Sequence, residues 1–297
     1  MYGGVNLTLR HFKIFITVCE TMNMTQAAEK LYISQSAVSQ AISDMESYYA
    51  IKLFERFSKK IFLTASGEKL LSYSRHITSM TEEAESELKS LSQNGQIRIG
   101  ASVTVGSAVL PQIVKDFSVL NQDTKISVVE DNTSVIESLI LNNEIDIGLV
   151  EGEIVSADII VKPFMQDELV LISGKGHPFS EKSVVYPQEL ETQNFIIREK
   201  GSGTRKLFET KMAANNINWT ATWVCNNSET IKNAVINNLG ISVISRKIVE
   251  KEVDEKTLLI SRINGIEFIR YFKIAYHKNK YITDQMSNLM MYLKNNY

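Results

Sequence analysis

The sequence predicts a multi-domain α+β chain: an amino-terminal winged helix-turn-helix, a long linker helix, and a carboxyl-terminal α/β domain of two lobes. Three observations carry this reading. Residues 23–43 read as two short helices around a tight turn. Residues 66–91 hold one unbroken helical period with apolar residues at sevens. From Gln93-Asn94-Gly95 onward, short apolar strands alternate with amphipathic helices, the signature of a mostly parallel, helix-covered sheet. The expected boundaries are 7–64, 65–93 and 94–297. The last region divides into lobe I (94–166 plus 268–297) and lobe II (167–267).

The helix-turn-helix rests on its caps and its two faces. Asn23 and Gln26 have the spacing of a capping box, so a short helix should start there, burying Ala27, Ala28 and Leu31. Tyr32 and Ile33 make the turn, and Ser34 can cap the second helix with its hydroxyl. In that second helix Val38, Ala41, Ile42 and Met45 form the buried stripe. Gln35, Ser36, Ser39, Gln40 and Ser43 lie opposite: short, uncharged, and rich in donors and acceptors. Such a face suits base edges in a major groove, whereas a solvated face would carry more Lys and Glu. Asn23, Thr25 and Ser34 flank it as further DNA-binding candidates. The competing reading of this stretch alone is an ordinary αα-hairpin. Leu9, Phe12, Ile16 and Cys19 supply a helix to pack beneath the motif. After it, residues 51–64 give two apolar runs around a basic tip, the pattern of a β-wing, with Arg56, Lys59 and Lys60 placed for phosphate or minor groove.

Leu9-Arg10-His11-Phe12, Ala27-Ala28-Glu29-Lys30-Leu31, Ser34-Gln35-Ser36-Ala37-Val38-Ser39, Leu53-Phe54-Glu55-Arg56 and Leu63-Thr64-Ala65-Ser66-Gly67-Glu68 together resemble the amino-terminal domain of a LysR-type transcriptional regulator. The resemblance extends more loosely through the rest of the chain. It implies a linker helix that dimerises and an effector domain with the fold of periplasmic binding proteins. The residue pattern agrees. Leu70, Ile77, Ala84 and Leu91 stand at sevens with Tyr73 and Met80 between them, and the seam weakens at Glu87 and Leu88. The other reading of that helix is an amphipathic one packed on its own domain.

Strands are expected at 97–101, 125–130 and 145–150 in lobe I, and at 169–172, 195–197, 222–225 and 241–244 in lobe II. A strand at 268–277 returns to lobe I. Helices are expected at about 107–120, 134–141, 204–214, 228–238 and 283–295. Ligands gather at the carboxyl ends of such strands, where helix N-termini point inward. Two loops are dressed for that role: Ala101-Ser102-Val103-Thr104-Val105-Gly106, and Arg198 to Arg205 with its Gly201-Ser202-Gly203-Thr204 core. Their hydroxyls, glycines and free helix N–H groups can hold a small oxyanion. Lys206 stands where a dinucleotide fingerprint needs its third glycine. The effector-binding candidates are Ser102, Val103, Thr104, Ser202, Gly203 and Thr204, with Asp131, Thr133, Glu151 and Ser228 on further loops and helix starts at the same cleft. The alternative is that these hydroxyls only cap helices. The first loop and the Gly-Ser-Gly-Thr-Arg run resemble family members that respond to small anions, including the sulfur-assimilation regulators.

Composition bounds the rest. Net charge is −2, yet nine Lys/Arg face six Asp/Glu up to Arg75, so a basic head precedes an acidic body. Cys19 and Cys225 are the only cysteines and read as buried structural thiols in preference to a redox pair. The sequence holds no signal peptide and no apolar run of membrane length, so a cytoplasmic protein is expected. Scattered histidines, and no G-x-S-x-G, Walker or zinc spacing, argue against an enzyme and point to no cofactor and no metal. The expected function is a sequence-specific DNA-binding regulator controlled by a small anionic effector. Its rivals are a DNA-architectural protein that only oligomerises and an enzyme on a binding-protein-like fold. Expected partners are a double-stranded DNA operator, the effector, further copies in a homodimer or homotetramer, and RNA polymerase, but no membrane.

Overall fold

The computed structural model describes residues 7–57, 60–90 and 95–297, without the side chains of Arg56 and residues 87–90. The expectations for Lys59, for the Arg56 side chain, and for the seam at Glu87, Leu88 and Leu91 therefore lie outside the described residues. The chain divides into two compact units, residues 1–93 and 94–297.

The first unit opens with α1 (Leu9–Thr21), α2 (Met24–Leu31) and α3 (Gln35–Tyr49). The Asn23 carboxamide oxygen accepts from the N–H groups of Thr25 and Gln26, at 2.9 and 3.2 Å. The Ser34 hydroxyl accepts from the Ala37 N–H at 3.2 Å. Each satisfies donors that a helix start leaves unpaired. Tyr32 ends α2 in the left-handed region, φ +54°, which turns the chain sharply into α3. An antiparallel hairpin follows, β1 (Phe54–Phe57) on β2 (Lys60–Leu63), and then α4 (Ala65–Ser90). Glu46 of α3 fixes the entry to the hairpin. Its carboxylate accepts from the N–H groups of Leu53 and Phe54 and from Lys52, and these bonds outweigh burial and hold its pKa below the usual range.

The core of this unit joins Ile14, Phe15 and Val18 to Ala27, Ala28, Val38, Ala41, Ile42, Met45 and Leu53. The α3 stripe is the one expected. The α1 face is rotated: Ile14, Phe15 and Val18 are buried, whereas Leu9 is exposed and Phe12, Ile16 and Cys19 are only partly covered. Both stripes of α1 are apolar, and α4 packs on the same helix, so periodicity alone could not select between them. Burial pushes the Cys19 thiol up to about 12 and the Cys225 thiol upward as well, and both cysteines are free.

The second unit contains two lobes. In lobe I, β3 (Gln96–Ser102) is followed by α5 (Val103–Ala108) and α6 (Leu110–Leu120). Then come β4 (Lys125–Asp131), α7 (Thr133–Leu141) and β5 (Ile147–Val150). A long strand, β6 (Ile159–Gly174), crosses into lobe II. There the elements are β7 (Val184–Val185), α8 (Pro187–Leu190), β8 (Asn194–Arg198), α9 (Gly203–Ala214), β9 (Thr220–Cys225), α10 (Ser228–Ile236), β10 (Ser242–Ser245), α11 (Arg246–Asp254) and β11 (Leu258–Ile263). The strand β12 (Phe268–His277) returns to lobe I, and α12 (Asp284–Asn296) closes the chain.

The order β4-β3-β5-β12-β6-β11-β7 makes one sheet shared by both lobes, with β10 also pairing β6, while β8 and β9 form a separate two-stranded sheet. Pairings of β3 with β4 and β5, and of β8 with β9, are parallel, as expected. The crossovers are not: β6 and β12 run antiparallel from Ile159↔His277 to Leu169↔Phe268, and β10 and β11 also pair β6 antiparallel. The sheet is therefore mixed. The helix expected from about Ser107 begins at Val103, because Ser102 ends β3 and Val109 with Pro111 splits the run in two. Lobe I buries Ile97, Ile99, Phe117, Ile147, Leu149, Phe272 and Leu289. Lobe II buries Phe195, Phe208, Met212, Val185 and Phe268 on one face and Ile172, Ile196, Ile231 and Val235 on the other. Among the described residues no helix is long and apolar enough to cross a membrane.

Candidate functional site

Two surfaces gather the candidate residues, one in each unit. On α3, burial of Val38, Ala41, Ile42 and Met45 forces the polar stripe outward. Gln35, Ser36, Gln40 and Ser43 are exposed and Ser39 is partly so. The stripe is internally ordered. The Gln35 amide donates to the Ser39 hydroxyl at 2.7 Å, the Gln40 amide donates to Asp44 at 2.7 Å, and the Ser34 and Ser36 hydroxyls are 2.9 Å apart. Asn23 and Thr25 are exposed at the start of α2, and Lys60 is exposed on the hairpin. One residue stands out that spacing did not mark as a contact. Tyr32, 96% exposed, ends α2 at the turn that leads into α3.

In the second unit the loops after β3, β5 and β8 meet between the lobes. The Ser102 hydroxyl stitches two strand ends together, donating to the Leu149 carbonyl at 3.4 Å and accepting from the Glu151 N–H at 3.3 Å. Thr104 and Thr204 bring their hydroxyls to 3.5 Å across the lobes. The Gly203 backbone rests on Gly152, where a Cβ on Gly203 would stand 2.3 Å from the Gly152 Cα. The Ser134 N–H donates to the Gly201 carbonyl at 3.4 Å, and Gly201 takes φ +91°, which favours glycine.

Beneath these loops lies a buried polar chain. Arg270 of β12 donates from Nη1 to the Thr204 hydroxyl at 2.9 Å and from Nε to Asp167 of β6 at 2.7 Å. The other Asp167 oxygen accepts from Ser245 at 2.7 Å. Glu151 is buried, and Thr104 donates to its carboxylate. Burial pushes the Glu151 pKa upward, against the pull of Arg270 and Arg198. Arg198, itself buried, forms a two-pronged ion pair with Glu199 at 2.8 and 2.9 Å. Around these loops, four of the buried polar atoms without a hydrogen bond among the described residues are Thr133 Oγ1, Glu151 Oε2, Ser202 Oγ and Arg270 Nη2. Buried polar atoms are seldom left so, and these belong to two helix starts, the segment after β5 and the β12 crossover, which border the interlobe contact.

The structure thus brings Ser102, Thr104, Thr133, Glu151, Ser202, Gly203 and Thr204 to one buried region, with Val103 buried as the first residue of α5. Asp131 is exposed, its carboxylate accepting from the Asn132 N–H. Ser228 is buried at the start of α10, which Asn227 caps, and among the described contacts it hydrogen-bonds to nothing in lobe I. Arg270 and Asp167 lie on strands, outside the loops that the sequence marks, whereas Arg198 opens the second of those loops. Strand alternation could have found Arg270, because Phe268, Arg270 and Phe272 share the buried face of β12.

Comparison with known proteins shows the family of both units. A family model described as "Bacterial regulatory helix-turn-helix protein, lysR family" matches residues 9–68, and one described as "LysR substrate binding domain" matches residues 91–297. The transcriptional regulator CysL of Bacillus subtilis is 29% identical, with 96% of each chain covered. A probable RuBisCO transcriptional regulator of Phaeodactylum tricornutum is 33% identical, with 97% of each covered. Among solved structures, the Synechocystis CcmR regulatory domain in complex with 2-PG matches with a TM-score of 0.64 and 26% identity, over 68% of this chain and 97% of that one. Full-length OxyR from Pseudomonas aeruginosa shares the fold at a TM-score of 0.69 and 18% identity, over 98% of this chain and 95% of its own. The matched families are regulators rather than enzymes, and the chain belongs to the LysR family of transcriptional regulators.

Proposed function

We propose that Gln35, Ser36, Ser39 and Gln40 read base edges of a two-fold operator, with Asn23, Thr25, Ser34 and Ser43 on its backbone and Arg56, Lys59 and Lys60 at phosphate or minor groove. The observation that carries this reading is the solvent face of α3, which is uncharged, polar and aimed outward by a complete apolar stripe. Short amide and hydroxyl side chains in such a face make directional contacts with bases, and glutamine pairs well with adenine. The winged helix-turn-helix spans 7–64, the linker helix 65–93, and the effector-binding region 94–297 with lobe I (94–166 plus 268–297) and lobe II (167–267).

The effector is a small anion held between the lobes by Ser102, Thr104, Thr133, Ser202 and Thr204, with Arg270 beneath them. Two copies pair through α4, whose Tyr73, Ile77, Met80 and Ala84 are exposed along one stripe. Regulation takes place in the cytoplasm, where RNA polymerase is the final partner. The test is operator binding by Gln35→Ala and Ser39→Ala protein. Loss of one good base contact should cost roughly 1–3 kcal/mol and relax preference at a few positions. Equal weakening on operator and random DNA would overturn the assignment.

A further inference from the structure

We propose that Glu151 stands in the interlobe region as a neutral acid, its Oε2–H serving as a fourth donor toward a small oxyanion beside Arg270 Nη2, Ser202 and Thr133. This rests on the reading of that region as the site of an anionic effector.

The direction of the hydrogen bonds leads there. Arg270 can only donate, so the Thr204 hydroxyl must accept from it at 2.9 Å. The Thr204 proton is then free to turn toward Thr104, 3.5 Å away. The Thr104 proton in turn goes to the Glu151 carboxylate. One Glu151 oxygen is thereby committed as an acceptor. The other, Oε2, is buried with no protein partner, as are Arg270 Nη2 and the Ser202 and Thr133 hydroxyls. Arg270 Nη2 is a donor, and both hydroxyls can donate. An ionised Oε2 among them would repel the anion that the other three attract, whereas a protonated one completes the set.

Among the described residues no cation forms an ion pair with Glu151. From β12, Arg270 is paired to Asp167 of β6, and Lys273 donates to the Gly152 carbonyl and lies within the influence of both Glu153 and Glu151. From β8, Arg198 is paired to Glu199. From β4, Glu130 adds a further negative group, with Asp131 beside it. Full burial acts in the same direction, raising the Glu151 pKa despite the two arginines.

Infrared difference spectroscopy of the full chain at neutral pH, wild type minus Glu151→Gln, reads the proton directly. A protonated-carboxyl stretch that vanishes in Glu151→Gln and survives in Glu130→Gln is the expected result. Should Glu151→Gln fail to fold, the wild-type band and its persistence in Glu130→Gln still decide. Absence of any such band in the wild type overturns the proposal.

Calorimetric titration with inorganic sulfate, inorganic phosphate and glycolate follows. A glutamine amide imitates the neutral acid, accepting from Thr104 and donating from its NH₂ group. Sulfate affinity of the wild type should therefore fall about tenfold per pH unit once Glu151 ionises, while Glu151→Gln stays flat and binds more tightly in alkaline buffer. Weaker binding by Glu151→Gln at every pH overturns the donor role. If none of the three anions binds while the band is present, the anionic reading of the site fails and the neutral acid stands.

Discussion

Gly203, the first residue of α9, lies directly against Gly152, just past β5, so the two lobes meet backbone to backbone. A Cβ on Gly203 would stand 2.3 Å from the Gly152 Cα and 2.6 Å from its nitrogen. Gly152 is itself hemmed in, for a Cβ there would meet Thr133 Oγ1 at 2.6 Å. Gly203→Ala should therefore destabilise this arrangement by about 1–3 kcal/mol, because main chain cannot step aside. Gly106→Ala is the control. Its Cβ would meet the Glu130 carboxylate at 2.2 Å, but that is the far end of an exposed side chain, so the cost should be small. Thermal unfolding of both variants decides it, and equal losses would refute the contrast.

Neighbouring residues on β6 should respond very differently to loss of charge. Asp167 is buried between Arg270 and Ser245, whereas Glu168 pairs with Arg246 at a half-exposed site. Asp167→Asn leaves a buried guanidinium without its counter-charge and should cost about 3–5 kcal/mol. Glu168→Gln should cost less than about 1 kcal/mol, since solvent screens that pair. Urea midpoints with unchanged slopes would measure both.

Stability should also depend on acid through Asp146. Burial raises its pKa, but the Arg98 hydrogen bond and the nearby Lys280 outweigh it and hold the carboxyl below its ordinary range. A lowered folded-state pKa stabilises above the unfolded value, and that contribution is lost as pH falls through the folded one. Asp146→Asn should thus be clearly less stable than wild type at neutral pH, and the gap should close below the ordinary aspartate pKa. A gap that stays constant down to strong acid would show that the lost contribution is not electrostatic.

The exposed stripe on α4 gives a prediction about assembly. Ile77 is 38% exposed, flanked by Tyr73 at 42% and Met80 at 47%, an apolar face that the rest of its own unit leaves uncovered. Ile77→Asp should dissociate the pair of chains and abolish binding to a two-fold operator while leaving the helix-turn-helix folded. Solution mass and circular dichroism check the two halves. A wild-type monomer would end the idea.

Much of this was legible in the sequence, for identifiable reasons. The α3 stripe and its Ser34 cap are local signals, and local signals survive folding. The α1 face was legible only in part: Phe12 and Cys19 do pack on the core, but the deepest positions are Ile14, Phe15 and Val18, and α4 packs on the same helix. Strand direction at the crossovers was not legible, since β6 pairs with residues about a hundred positions away. Pro163 within β6 also made its first half read as non-strand. In the cleft, hydroxyl-rich loops announced themselves, while the arginine beneath them sat inside an apolar strand.

The paired crossovers carry a further consequence, for how this chain can drift over evolutionary time. β6 and β12 face one another at ten positions, with one register shift at Phe272/Lys273. A single inserted or deleted residue in either strand would turn every side chain beyond it to the opposite face. Arg270 and Asp167 would then part, and with them the anchor of Thr204. Substitutions along the ribbon are negotiable one by one, whereas its length is not. Away from Arg270 and Asp167, descendants of this sequence should vary in the residues of these two strands and hardly at all in their number.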